Sequence, residues 1–174
     1  VGTPFSQAYM EETLNRYPLI AGLLAELFEA KFDPKRETGD AASRKAARDA
    51  LERELGALTP QAVADANPGF AKEVAALLEK PRDEQVEGLI AAIKALLTDV
   101  SSLDDDRILR GFMGQIRATL RTNYFQTHDG KPAEYISYKF DSHQVPEIPK
   151  PVPYREIWVY APRVEGVHLR FGPV

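Results

Sequence analysis

YREIWVYAPRVEGVHLRFGPV, residues 154–174, is the longest strand-like run in the sequence. Residues 155–161 are rich in strand-forming side chains, Pro162 ends them, and residues 164–171 alternate again. In the second run Val167, Leu169 and Phe171 share one face, while His168 and Arg170 point the other way. The chain stops inside this strand pattern and begins at Val1 rather than Met, which suggests a piece of something larger.

Working outward, residues 134–140 (EYISYKF) predict another strand, with Ile136, Tyr138 and Phe140 on one face. Residues 122–127 predict one more. Asp129-Gly130 between them is a turn signal, and Lys131-Pro132 makes the expected loop longer than a two-residue hairpin. Residues 146–153 (PEIPKPVP) must be extended and are unsuited to a central strand.

Upstream of Leu120 the texture is helical. Ser6 caps a first short helix, and Pro18 suits the first turn of the next. That second helix carries Leu19, Ile20, Leu23, Leu24, Leu27, Phe28 and Phe32, a wide apolar face ended by Asp33-Pro34. Residues 34–39 read as a charged loop. Asp40 caps a helix to about Leu55, with Gly56 at the C-terminal cap position. Thr59-Pro60 and Asn67-Pro68-Gly69 punctuate short helices, the second burying Phe70, Val74, Leu77 and Leu78. Asp83 opens a helix with Val86, Leu89, Ile90, Ile93, Leu97 and Val100 inward. Ser102 with Asp105 matches a capping box, and the helix that follows places Leu109, Phe112, Ile116 and Leu120 on one face. The fold class is α+β: a multi-helix region, residues 1–120, followed by a small, mainly antiparallel or mixed sheet, residues 121–174, incomplete in this chain.

The 174 residues are 44% hydrophobic and 28% charged, enough for a core and too apolar for general disorder. A net charge of −4 argues against non-specific nucleic-acid or acidic-membrane binding. The absence of cysteine excludes disulfides, thiolate nucleophiles and Cys-ligated zinc, and fits a reducing cytoplasm. The best apolar run, residues 19–28, is too short to span a bilayer and carries Glu26.

Each candidate chemical group has a plainer structural reading. Asp104, Asp105 and Asp106 could ligate a metal, but carboxylates in a first helical turn answer the helix dipole. His128, His143 and His168 lack metal-ligand spacing. Asp141 could orient His143 for acid–base work, against a plain surface pair. Pro146-x-x-Pro149 could dock on an SH3-type groove, against a stiff connector. Tyr124, Phe125, Tyr135 and Tyr138 with Arg121, Lys131 and Lys139 could form a base-stacking sheet, against ordinary sheet pairs. No GxGxxG, P-loop, GxSxG or HExxH motif is present.

Three segments resemble the large bacterial NAD-specific glutamate dehydrogenases: RTNYFQ at 121–126, YISYKFDS at 135–142 and PYREIWVYAPRVEGVHLRFGPV at 153–174. SSLDDDRILRGF at 101–112 fits the same family, and LFEAKFDP at 27–34 fits it less specifically. Residues 34–101 share only helical texture. The resemblance implies a long multidomain parent with ACT-like regulatory modules, helical segments, a substrate-binding part and a Rossmann-type cofactor part. Its reaction would be oxidative deamination of L-glutamate to 2-oxoglutarate and ammonia, by hydride transfer to NAD and hydrolysis of the iminium. The substrate loop and catalytic lysine of the family would follow Val174. The expectation is therefore no catalytic, cofactor-binding or metal residue in this chain, and NAD bound by the parent alone. Arg163, Arg170 and Gly172 would position the loop structurally. The expected partner is the rest of the polypeptide, in a cytoplasmic homo-oligomer, with no nucleic acid or membrane. The rival reading is a non-catalytic interaction or scaffold domain using the Pro-rich connector or an open sheet edge. A sheet cut after Val174 would leave an unpaired edge, and apolar residues such as Trp158, Leu169 and Phe171 partly uncovered, which would favour self-association.

Overall fold

The computed structural model describes residues 4–145 and 148–172, with residues 37 and 38 described for their backbone only. The chain divides into two compact units, one within Thr3–Leu109 and the other within Arg110–Val174.

In the first unit, α1 (Gln7–Arg16) starts where Ser6 Oγ accepts the Tyr9 N–H at 3.2 Å. Tyr17 closes it and opens α2 (Pro18–Phe32), with Pro18 in the first turn as its missing N–H predicts. Leu19, Ile20, Leu23, Leu24, Leu27 and Ala30 of α2 are buried. They face α7 (Arg82–Leu97), whose Leu89, Ile93 and Leu97 are buried at helical spacing. Each such side chain contributes about 1.5–3 kcal/mol when fully removed from water. Arg82 strengthens the same seam, donating to the carbonyls of Ala30 at 3.0 Å and Asp33 at 2.9 Å. A cation there satisfies orphan acceptors at the end of α2 and complements its dipole.

The segment after α2 departs from the expected loop. It forms a helical turn, α3 (Lys35–Thr38). Asp33 Oδ1 accepts the Lys35 N–H at 2.9 Å, and Pro34 already holds a helical φ of −63°, so this Asp-Pro stops one helix and starts another. α4 (Ala41–Leu58) begins at the expected cap, Asp40, which accepts the Ser43 N–H at 2.7 Å. It runs past Gly56, however, and ends at Thr59, directly before Pro60. The proline, not the glycine, stops it. α5 (Gln61–Ala66) and α6 (Phe70–Ala75) follow, and a 3₁₀ turn (Ala76–Glu79) continues α6 up to Lys80-Pro81. Phe70, Val74 and Leu78 are buried as expected, and Leu77 is half-buried. Gln85 is also buried, its amide donating to the Lys80 carbonyl at 2.8 Å.

α8 (Leu103–Ala118) passes without a loop into β1 (Thr119–Thr122). The strand thus lies earlier than the expected 122–127, and Leu120, expected on a buried helical face, is a strand residue 42% exposed. Met113 and Ala118 are the buried side chains at that end of α8. β-branched Thr119 sits at the switch, its Oγ1 donating back to the Gln115 carbonyl at 2.7 Å.

In the second unit β2 (Thr127–His128) and β3 (Lys131–Pro132) form a small ribbon. His128 pairs with Lys131, so Asp129-Gly130 alone makes the turn, with φ of 51° and 75°. This is the two-residue hairpin that Lys131-Pro132 had argued against. Pro132 fits because a two-stranded ribbon has edges that need no donor. β4 (Ile136–Asp141), β5 (Arg155–Ala161) and β6 (Val164–Arg170) complete an antiparallel sheet in the order β1-β4-β5-β6. Register places Tyr138, Trp158 and Val167 abreast on one face and Lys139, Ile157 and His168 on the other. Residues 148–153 carry no regular strand, as their prolines require. Pro146 and Val174 lie outside the described residues.

Candidate functional site

The sheet is the most chemically varied surface of the second unit. One face carries Ile136, Tyr138, Phe140, Trp158 and Tyr160, and Phe140 stacks on Tyr138 with ring centroids 6.2 Å apart. Glu156 lies on that face too, 3% exposed, accepting the Trp158 Nε1–H at 3.4 Å. The opposite face carries a cationic row. Arg121 pairs with Lys139, and Arg155 with Arg170, around a single carboxylate, Asp141. Arg155 Nη1 donates to Asp141 Oδ1 at 3.1 Å, and its guanidinium lies 4.1 Å from the centre of the Tyr154 ring. Asn123, in the bend after β1, clamps the start of β4: its Oδ1 accepts the Ser137 N–H at 2.7 Å and its Nδ2 donates to the Tyr135 carbonyl at 2.9 Å.

The candidate groups are dispersed over this frame. His128, His143 and His168 are exposed on β2, on the turn Ser142–Gln144 and on β6. Asp141 meets the backbone N–H of His143, at 3.4 Å, and not its imidazole. The Gln144 amide donates to Asp141 at 2.9 Å and, with the His143 N–H and the Arg155 charge, outweighs burial to hold this carboxyl below its usual range. Asp141 thus caps a turn and pins Arg155. The base-stacking arrangement does not assemble. Tyr124 and Phe125 meet edge-on in the bend, and Tyr138 faces away from Arg121 and Lys139. Among the described residues no group of three His, Asp or Glu is placed to hold a metal ion. Arg163 is exposed in the β5–β6 turn, and Arg170 ends β6, where its carbonyl accepts the Tyr154 N–H at 2.6 Å.

The first unit also buries two carboxylates, Asp105 and Glu26, whose partners the sequence does not reveal. Asp105 has the capping-box relation to Ser102 in half: its N–H donates to Ser102 Oγ at 3.3 Å. Its carboxylate turns to α1, where Arg16 Nη1 donates at 2.8 Å, Thr13 Oγ1 at 3.2 Å and Tyr9 OH at 3.3 Å. Burial alone would push this carboxyl up, but the donors from Arg16 and Thr13 outweigh it and hold it low. The dipole reading suits its neighbour Asp104, which is exposed, and understates Asp105, which is 1% exposed. The second charge is Glu26 on α2, where burial pushes the carboxyl up against the opposing pull of Arg36.

Comparison with known proteins assigns this architecture. Residues 92–174 match the family model described as bacterial NAD-glutamate dehydrogenase, catalytic domain, and residues 1–34 match glutamate dehydrogenase, helical motif 3. The NAD-specific glutamate dehydrogenase of Mycobacterium tuberculosis is 38% identical over 99% of this chain, and that of Halomonas elongata 37% over 97%. That of Pseudomonas aeruginosa is 48% identical over 53% of the chain. The chain belongs to the bacterial NAD-specific glutamate dehydrogenase family. It spans about 8% of the length of the first two of these relatives. The catalytic-domain match takes in α8 and the whole sheet and reaches back into α7, further than the distinctive motifs at 101–174. Residues 35–91, from α3 into α7, lie between the two family matches and are covered only by the relatives. No helix among the described residues is long and apolar enough to cross a membrane.

Proposed function

We propose that this chain acts within an NAD-dependent glutamate dehydrogenase that oxidatively deaminates L-glutamate to 2-oxoglutarate and ammonia, supplying framework and no reacting group. The observation that carries this reading is the coincidence of the β1-β4-β5-β6 sheet with the stretch matched to the catalytic domain. Residues 1–120 serve as a helical support, and residues 121–174 open the substrate-binding domain. The catalytic and cofactor-binding residues come from elsewhere in the longer polypeptide. NAD binds to that whole and not to this chain. The assembled enzyme is a cytoplasmic homo-oligomer, and its partner for this chain is the remainder of its own polypeptide.

The reasoning is mechanical. Hydride transfer needs the substrate Cα held at near-attack distance from the nicotinamide, and small misplacements are costly. A sheet fixed by the Asn123 clamp and the Arg155–Asp141 pair is a rigid base for loops that carry such groups. The test is calorimetry of the purified chain with NADH and an assay of glutamate oxidation. Neither binding nor turnover is expected. Specific NADH binding would sink the framework reading and leave the family assignment untouched.

A further inference from the structure

Asp129-Gly130 forms the tip of the β2–β3 ribbon and is the one Asp-Gly step in the chain; no Asn-Gly occurs. Before glycine, an aspartate carboxyl is open to attack by the next backbone nitrogen, because no Cβ stands in the way. The fold does little to prevent that approach. Asp129 is exposed, and its carboxylate has no partner among the described residues. In a two-residue turn the ladder bonds belong to the flanking pair, here His128 and Lys131, so the Gly130 N–H is not engaged in them. A Cβ built on Gly130 meets nothing within 4 Å, so a ring closed there has open space around it.

The ribbon itself is weakly held. It has two residue pairs, all exposed, and belongs to no larger sheet. A lone two-stranded hairpin of this kind is marginal in water and opens at little cost. Opening also frees Asp129 from a left-handed φ of 51°, which residues with a Cβ hold only at a cost. Asp141-Ser142 is the contrast within the same unit. It is the chain's one Asp-Ser step, but Ser142 is fully buried. The Asp141 carboxylate is fixed by donors from Gln144 at 2.9 Å and Arg155 at 3.1 Å.

We propose that Asp129 is a site of spontaneous backbone isomerisation to isoaspartate through a cyclic imide. The Gly130 nitrogen attacks Cγ of the uncharged Asp129 carboxyl group. A C–N bond forms, a C–O bond breaks, and water leaves with the hydroxyl and the amide proton. Water then reopens the ring. Breaking the new Cγ–N bond restores aspartate; breaking the original peptide C–N bond routes the main chain through Cβ and Cγ and frees the α-carboxyl. Water balances both steps, and no oxidant or cofactor is consumed. The lengthened main chain no longer closes a two-residue turn between His128 and Lys131. Asn123 confines the damage, because it bonds Tyr135 and Ser137 beyond the ribbon and so preserves the register of β1 and β4. The freed α-carboxyl is the group that isoaspartate-directed carboxyl methyltransferases esterify, so the ribbon tip is a substrate for that class of enzyme. The site is independent of the dehydrogenase reading.

The experiment ages the whole chain at neutral pH, with and without guanidinium chloride, and maps its peptides by mass spectrometry with electron-transfer fragmentation. Methyl transfer from S-adenosylmethionine by an isoaspartate-specific carboxyl methyltransferase measures the product independently. In the folded protein isoaspartate is expected at Asp129 and not at Asp141. Denaturant should raise the rate at Asp129 by less than about threefold, because opening already costs little, and at Asp141 by about tenfold or more. Asp129→Glu keeps the charge but must close a larger, slower ring, so methyl acceptance should be lost with thermal unfolding unchanged. Isomerisation at Asp129 in denaturant alone would show that the folded turn protects the bond, and would overturn the proposal. Methyl acceptance that persists in Asp129→Glu would overturn it too, by placing the reaction elsewhere, as would faster isomerisation at Asp141 than at Asp129 in the folded protein.

Discussion

Gly56→Ala is expected to stabilise the protein, and the sign of the change discriminates between two readings of the residue. As the C-terminal cap that its position after Leu55 suggests, Gly56 would hold a left-handed φ, and alanine would be strained there. In the structure it lies inside α4, which continues to Leu58, and it is exposed. A Cβ built on it meets nothing within 4 Å. The substitution therefore carries no packing cost, and the helix gains the difference in propensity, about 0.8–1.0 kcal/mol. Part of that gain arises in the unfolded chain, which loses conformational freedom when glycine is replaced. For a chain of this size the melting temperature should rise by about 2–4 °C. Urea unfolding followed by far-ultraviolet circular dichroism should show a higher midpoint with unchanged slope. A fall in stability of comparable size would end α4 at Gly56 and refute the assignment of Pro60 as its stop. Gly88 is the internal control. It too lies mid-helix, in α7, but its Cβ would stand 2.6 Å from Leu77 Cδ2. Overpacking of that kind costs about 1–3 kcal/mol, so Gly88→Ala should fail to stabilise even though the propensity gain is the same.

Acid titration of stability should show two opposed contributions. Asp105 is held low, so its stabilisation is complete above the unfolded carboxylate value of about 3.9 and is lost as pH falls through its depressed folded value. Asp105→Asn should lower stability at pH 7 and flatten that acid limb; an unchanged limb would show that Asp105 is not its source. Glu26 is raised, so its contribution improves as pH falls from neutrality through its elevated value, and Glu26→Gln should remove that slope in the same titration. Asn123→Ala leaves the Ser137 N–H and Tyr135 carbonyl unmet and should cost about 1–3 kcal/mol if they stay dry; faster hydrogen exchange at Ser137 reads it directly, and unaltered exchange would remove Asn123 from the clamp. β6 is an edge of the described sheet, with Val167 40% and Leu169 41% exposed beside Tyr160 at 60%, so sedimentation should show concentration-dependent association that Val167→Lys reduces. A clean monomer at high concentration would count against it.

The sequence was most legible where one interaction decides a boundary. Ser6, Pro18 and Asp40 announce helix starts because each acts within three residues of itself, and the structure uses all three. Strands β5 and β6 were legible because Pro162 separates two alternating runs, and both lie where alternation places them. The errors fall where two local rules compete. At residues 55–60 a glycine and a proline both offer to end α4, and only the proline is obliged to, because glycine tolerates helical backbone angles whereas the residue before proline is driven out of the helical ψ, here to 118° at Thr59. At 118–122 helix and strand abut without a turn, so no punctuation marks the change and β1 begins at Thr119, three residues before the alternation at Thr122 predicts.

The buried charges illustrate a different limit. Asp104, Asp105 and Asp106 are chemically identical in sequence, yet only Asp105 is buried. What singles it out is distant in the chain: Tyr9, Thr13 and Arg16. Those three lie at spacings of four and three on α1, one helical face, so the pattern was present in sequence as a polar stripe. A polar stripe on a short helix reads by default as a solvated surface, and only the tertiary placement of α8 turns it into a receptor for a carboxylate. Glu26 gives the same lesson from the apolar side. It interrupts the hydrophobic face of α2, where it counted against a membrane span, and Arg36 ten residues later is the group that makes its burial tolerable. An acidic residue within a buried face therefore points to a nearby cation as its partner, and here that cation sits in the stretch that read as a loop and folds as α3.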